Sequence, residues 1–339
     1  MAAETAEQPQ VWRRLRAESG PDGASGLHRA AGQIRSRAPR FVALVARGTS
    51  DHAALYAKYL VEIRLGLPAG LVSPSTMTAY GARPDLRDVL VLAVSQSGGS
   101  PDLLRTVQVA GAQGALTVAV TNDAASPLAS AAHAHVDVLA GPERAVAATK
   151  TYTAQMLTLH RLLDAVGGGD GASSDPLPDL GDAVLARDGE VAVLAQRYRF
   201  AQRMITTGRG YSYPTAREAA LKLMETAYVS AQAFSGADLQ HGPLALIEPQ
   251  VPVLAIVSEG AGGEAMAPVL ASLAERDADV LRIGSPGPGL GIELPGGVDD
   301  ELSPLLEILP LQQLARHVAL DRGADPDAPR GLHKITATL

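Results

Sequence analysis

The sequence predicts an α/β protein made of two tandem copies of one plan, each a parallel sheet flanked by helices. Three observations carry this. Short apolar runs bounded by turn residues alternate with longer segments of helical period, the pattern of a parallel sheet covered by helices. A stretch rich in Gly, Ser, Asp and Pro, "GGGDGASSDPLPDLGD" at 167–182, has no period and divides the 339 residues nearly in half. The halves also start alike. "FVALVARGTSDHAALYAKYLVE" (41–62) and "FAQRMITTGRGYSYPTAREAALKLME" (200–225) each set an apolar strand, a Gly/Ser/Thr turn and an Ala-rich helix in a row, which an internal duplication explains most simply.

In chain order, residues 1–30 form a helical N-terminal segment and 31–166 the first domain. That domain has strands at "FVALVA" (41–46), "VLVLAV" (89–94) and "ALTVAV" (115–120), with helices over 51–65, 101–112 and 145–165. Residues 167–185 are a linker. The second domain, 186–322, has strands at "VPVLAIV" (251–257) and "DVLRI" (279–283) and helices over 214–227 and 302–319, and a tail follows at 323–339.

Composition narrows the function classes. Of the residues 46% are hydrophobic and 19% charged, and the net charge is -7. A mildly acidic chain without Lys/Arg runs argues against a nucleic-acid surface, which draws on clustered cations. There is no cysteine, which removes disulfides, thiolate nucleophiles and zinc–thiolate sites and fits a reducing compartment. No apolar stretch reaches the ~18 residues of a membrane span, and "MAAETAEQPQVWRRLRAESG" lacks the apolar core of a secretory signal. The expectation is a cytoplasmic protein without a membrane partner. No His/Asp/Glu cluster has metal-ligand spacing, so no metal or other cofactor is expected.

The turn Ser95-Gln96-Ser97-Gly98-Gly99-Ser100 follows a buried strand, so it sits at the carboxyl edge of the sheet, where open α/β sheets bind ligands. Ser100 suits the N-cap of the next helix and Pro101 its first turn. The free N–H groups there, the glycines and the hydroxyls of Ser95, Ser97 and Ser100 make a cradle for a phosphate built from neutral donors. The turn "RGTSD" (47–51) also follows a buried strand, and Thr49 and Ser50 can converge on the same anion. Neither loop matches a nucleotide pattern such as G-x-x-x-x-G-K or G-x-G-x-x-G, which points to a small phosphorylated molecule. The bland alternative is a well-capped helix after a polar turn.

These two turns, with "ERAVAATKTYTAQ" (143–155), "GRGYSYPTAREAALKLMET" (208–226), "DLQHGPLAL" (238–246) and "DAPRGLHKITATL" at the C-terminus, resemble the SIS (sugar isomerase) family. They are most similar to the isomerase part of the glutamine:fructose-6-phosphate amidotransferases. The resemblance covers nearly the whole chain, beginning with "ETAEQPQVWRRL", and implies two flavodoxin-like, three-layer SIS domains. It places Thr49, Ser50, Ser95, Gln96, Ser97 and Ser100 on the phosphate, and Val146 and Glu218 in the sugar site. Three departures bear on the reaction. The glutaminase domain and its nucleophilic cysteine are absent from the sequence, Ser100 stands where those enzymes have threonine, and Ala148 where they have serine.

Glu218, Lys222 and Glu225 fall at i, i+4 and i+7, on one helix face. Alone, such a face reads as a solvated ion pair. Within the resemblance, Glu225 is the base that moves a proton at C2 of a phosphosugar, a task for a carboxylate tuned by its surroundings, and Lys222 steers hydroxyl protons. His241, before Gly-Pro, reads either as structural or, by resemblance, as the ring-opening group supplied across subunits of a homodimer. Lys334 lies in a tail that is mobile by default; the resemblance folds this tail over the active site and makes Lys334 the amine of a Schiff base with an open-chain ketose. His333 receives no role. Glu143-Arg144 with Thr149-Lys150 reads as a helix N-terminal ion pair and not a catalytic pair, and His52 and His160 as structural. The implied substrate is a phosphorylated hexosamine. Deamination of glucosamine 6-phosphate is the leading reaction; elimination of the C3 hydroxyl of N-acetylglucosamine 6-phosphate and deglycation of fructosamine 6-phosphate are the alternatives. A sugar-phosphate sensor is the competing class, and the sequence has no basic segment for the DNA-binding helix such regulators carry.

Overall fold

The computed structural model describes residues 1–18, 26–332 and 334, and the chain forms two compact units. The first contains residues 10–143 and 150–175 with Lys334; the second contains 1–9, 144–149 and 176–332.

The first unit is built on β1 (Phe41–Val45), β2 (Ala69–Leu71), β3 (Val89–Ser95), β4 (Leu116–Thr121) and β5 (Ala134–Asp137). All pairings are parallel, in the order β2-β1-β3-β4-β5. Both sheet faces are covered, as expected of an all-parallel sheet. Val45, Val91, Ala93 and Ala119 pack on one side with Leu103, Val107 and Leu128, while Leu44, Leu92 and Val120 on alternate positions are also buried. The helices Thr49–Arg64 and Pro101–Ala112 follow β1 and β3, and Lys150–Val166 closes the unit.

The second unit repeats the plan with β6 (Arg203–Gly208), β7 (Ser230–Ser235), β8 (Pro252–Val257), β9 (Asp279–Gly284) and β10 (Leu290–Glu293), in the order β10-β9-β8-β6-β7. The two orders are the same when each sheet is numbered from its own first strand, and both are flavodoxin-like. The helix Ser212–Ala227 follows β6, and Ser303–Asp321 closes the unit. Ile205, Val253, Ala255, Leu239, Met266 and Val269 form the core on one face.

The structure corrects the sequence expectation in two places and adds one unusual connection. Residues 177–185, expected as linker, form a helix that buries Leu177, Pro178, Gly181 and Val184; its Pro, Gly and Asp residues hid a short amphipathic pattern. The helix expected from 145 begins at Lys150, because 144–149 joins the second unit. Parallel strands usually need a connection of a dozen or more residues, yet β9 and β10 are joined by Ser285-Pro286-Gly287-Pro288-Gly289 alone. Arg282 makes this possible by donating from its guanidinium to the carbonyls of Ser285 and Pro286 at 2.9 and 3.1 Å.

Candidate active site

In the first unit the strand order reverses between β1 and β3, and at such a switch point the two loops leave in opposite directions and open a crevice. The loops there are the two cradle turns. Gly48 takes φ 55° and starts the helix that carries Thr49 and Ser50. After β3, Gly98 takes φ 61°, and a Cβ there would fall 2.2 Å from Ser126 Oγ, so only glycine fits. Ser95 Oγ accepts the Gly98 N–H at 3.1 Å and Ser97 Oγ the Gly99 N–H at 3.3 Å, which leaves their hydroxyl protons to donate outward. Ser100 is the N-cap of Pro101–Ala112 but makes no side-chain cap bond. Ser50 is buried and accepts from Gln155 Nε2 at 3.0 Å, so its proton too is available.

A clamp that the sequence did not disclose ties the loops together. Arg47, from the turn after β1, donates to Asp102 in the first turn of the helix after β3, at 2.7 and 2.8 Å, with Asp102 buried. Asp102 therefore serves as a fastener between the two turns, beyond its placement at a helix start.

Lys334 also belongs to this unit. Its ammonium lies 3.6 Å from the buried Glu143 carboxylate, which accepts the Thr151 N–H at 3.2 Å. Glu143 therefore satisfies a first-turn N–H of Lys150–Val166, the helix whose Gln155 side chain donates to Ser50. Glu143 thus pairs with Lys334, whereas Arg144 directs its backbone N–H to Glu4; the sequence expectation of a Glu143–Arg144 pair is corrected. His52 and His160 are buried. His333 and residues 335–339 lie outside the described residues.

The second unit carries the other predicted group. Glu218 and Lys222 are fully buried, and Glu225 is 23% exposed. Lys222 Nζ stands 2.5 Å from Glu225 Oε2 and 3.2 Å from Glu218 Oε1. Burial alone would push the ammonium down, but the two carboxylates outweigh it and hold Lys222 above the ordinary lysine range. It therefore stays charged and orients Glu225, the member of the trio that reaches solvent. The reading of this face as a solvated ion pair does not hold, since a surface pair does not bury a lysine completely. Val146 is half-buried in the same unit. His241 is exposed at the end of Gly236–Gln240, and its imidazole makes no hydrogen bond with a described residue. Among the described residues no group of three or more His, Cys, Asp or Glu is arranged to hold a metal.

The SIS domain family model matches residues 37–165 and 198–285, spans that hold both sheet switch points. The chain belongs to the SIS domain family. Among curated relatives it is 36% identical over 301 residues to the glutamine–fructose-6-phosphate aminotransferase (isomerizing) of Methanothermobacter thermautotrophicus, an alignment covering 86% of this chain and 51% of the relative. The chain spans about half the length of the curated relatives it matches. Among solved structures, a candidate phosphosugar isomerase from Silicibacter pomeroyi is 37% identical with TM-score 0.87, covering 96% of this chain and 99% of that one. The C-terminal domain of glucosamine-fructose-6-phosphate aminotransferase from Francisella tularensis is 26% identical, with TM-score 0.87 and 96% coverage of both chains.

Proposed function

We propose that this SIS protein acts on an amino-sugar 6-phosphate by removing the proton at C2, and that it converts glucosamine 6-phosphate and water into fructose 6-phosphate and ammonia. The observation that carries this is the buried Glu218–Lys222–Glu225 trio, which presents one partly exposed carboxylate against a fixed cation. A carbon acid needs a base whose position and charge are held before the substrate arrives. The switch-point cradle of the first unit supports a phosphate on the substrate, since its donors are neutral hydroxyls and N–H groups held by Gly48 and Gly98. The relatives named for fructose-6-phosphate amination and phosphosugar isomerisation support a hexose phosphate.

In this scheme the cradle binds the phosphate, Glu225 takes the C2 proton, and the buried Lys222 holds Glu225 in position and charge. Return of the proton to C1 leaves an imine at C2; Lys334, once it has given up a proton, for which Glu143 is the adjacent acceptor, attacks that carbon, ammonia leaves, and water then hydrolyses the lysine Schiff base to free the ketose. His241 opens the sugar ring, and its exposed, unbonded imidazole supports delivery to the partner subunit of a homodimer.

The test is a product assay over glucosamine 6-phosphate, N-acetylglucosamine 6-phosphate and fructosamine 6-phosphate. Release of ammonia with fructose 6-phosphate from the first is expected. An unsaturated sugar from the second, with no ammonia from the first, would replace deamination by dehydration.

A further inference from the structure

Arg47 is fastened in a way that its counterpart in the second unit is not. The second sheet has its own switch point, between β6 and β8, and the loop after β6 repeats the one after β1: Arg209-Gly210-Tyr211-Ser212 against Arg47-Gly48-Thr49-Ser50, with Gly210 and Gly48 at φ 57° and 55°. Arg209 makes no hydrogen bond or ion pair with a described residue. The loop after β8 is held instead by a carboxylate of its own unit, since Asp300 accepts the Ser258 hydroxyl at 2.8 Å. Loops of this plan thus stand at a switch point without an arginine clamp. The Arg47–Asp102 pair goes with the unit that carries the cradle, and so with the ligand site rather than with the fold.

The charges of the cradle point the same way. Its two turns, 46–51 and 94–102, contain one cation, Arg47, and two carboxylates, Asp51 and Asp102, each in the first turn of the helix that its loop opens. A sugar phosphate carries close to two negative charges at neutral pH. Neutral hydroxyls, N–H groups and helix dipoles offset part of that charge, while both carboxylates repel it. Arg47 cancels one of them and has donors to spare. Its Nε and Nη2 both end on a single oxygen, Asp102 Oδ2, at 2.8 and 2.7 Å, while Oδ1 accepts the Leu103 N–H at 2.8 Å. Nη1 makes no hydrogen bond with a described residue, and the Arg47 side chain is 47% exposed although Asp102 is only 2% exposed. The open edge of the guanidinium therefore belongs to a side chain that spans both turns, rooted next to Gly48 and tied two residues beyond Ser100.

We propose that Arg47 is a phosphate-binding residue: with one edge held by Asp102, it turns Nη1 to the phosphate seated between the two turns and supplies the one full positive charge there. This rests on the phosphate cradle proposed above and adds to it the group that selects a phosphorylated sugar over a free one. Asp102 is the positioning residue, because it fixes the guanidinium before the substrate arrives and so lowers the entropy lost on binding. Arginine suits the place for a geometric reason. Its planar fork offers one edge to a carboxylate and another to a phosphate, whereas the donors of lysine all leave one nitrogen.

The experiment is calorimetric titration of the full chain with inorganic phosphate at neutral pH and fixed ionic strength. Arg47→Gln alone would leave a buried carboxylate without its cation and endanger the fold. The comparison is therefore between Asp102→Asn, which keeps the guanidinium, and the double variant Arg47→Gln/Asp102→Asn, in which both partners are neutral. Asp102→Asn should change the phosphate Kd by less than about threefold, and the double variant should bind roughly tenfold more weakly than Asp102→Asn, the loss of one charge-assisted contact. With glucosamine 6-phosphate the double variant should raise KM by a similar factor while kcat changes little. Equal phosphate Kd in the two variants, whether both tight or both weak, would overturn the assignment and leave the pair a fastener only. A native protein that binds no phosphate would sink the cradle itself. Phosphate held through Arg47 with no ammonia released would sink the deamination and leave the role of Arg47 standing.

Discussion

Lys222 shows what one side chain does for its neighbours. With no exposed surface, it offsets the charge of a carboxylate, Glu218, that is equally buried. Lys222→Met would remove the cation paired with that buried carboxylate and should cost about 3–5 kcal/mol of stability, seen as a lower urea midpoint. Glu218→Gln in the same background should return part of the loss, because the buried negative charge is then gone. Glu225 differs in being partly open, so Glu225→Gln should leave the fold intact. It should reduce kcat by roughly 10²–10⁴-fold with little change in KM, and stop exchange of the C2 hydrogen with D2O. Were that exchange to persist, the base would have to be sought elsewhere.

The elements divide by how clearly their sequence announced them. The central strands β1, β3, β4, β8 and β9 were legible because burial on both faces makes them near-continuous apolar runs. The edge strands were not: "AGL", "AHVD" and "LGIE" have only three or four residues, and "SAQAFS" alternates polar with apolar residues, since an edge strand buries less. The cradle turns were legible from hydroxyl and glycine content, and the Glu218–Lys222–Glu225 face from spacing. The Arg47–Asp102 clamp and the Glu143–Lys334 pair join residues far apart in sequence, and no local period encodes such a meeting. The β9–β10 link carries its own prediction. Its five residues contain no helix, and the carbonyls of Ser285 and Pro286 take their partner from the Arg282 guanidinium. Arg282→Ala should lower stability by about 1–3 kcal/mol, with faster amide exchange confined to residues 285–293 as the sign that the link, and not the whole sheet, has loosened.

At the scale of the whole molecule, the buried Glu307 couples stability to pH. Its folded value is raised from 4.5 to about 8, so the folded state binds a proton that the unfolded chain has already released. Its contribution is fully present below about pH 4.5, declines as pH rises, and is lost above about 8. Thermal stability of the native protein should therefore slope downward across that interval more steeply than that of Glu307→Gln, which carries no titrating group there; parallel slopes would mean that the burial is relieved in solution. The order in which the chain is made matters as well. Gln8 donates to Gln312, 304 positions away, at 2.8 Å, and the Glu4 carboxylate receives the backbone N–H groups of Arg144 and Ala145. Ribosomes add roughly 5–20 residues per second, so the first nine residues wait on the order of 15–60 s for their last partner to emerge. During synthesis Gln8 consequently lacks its Gln312 partner while the first sheet can already close.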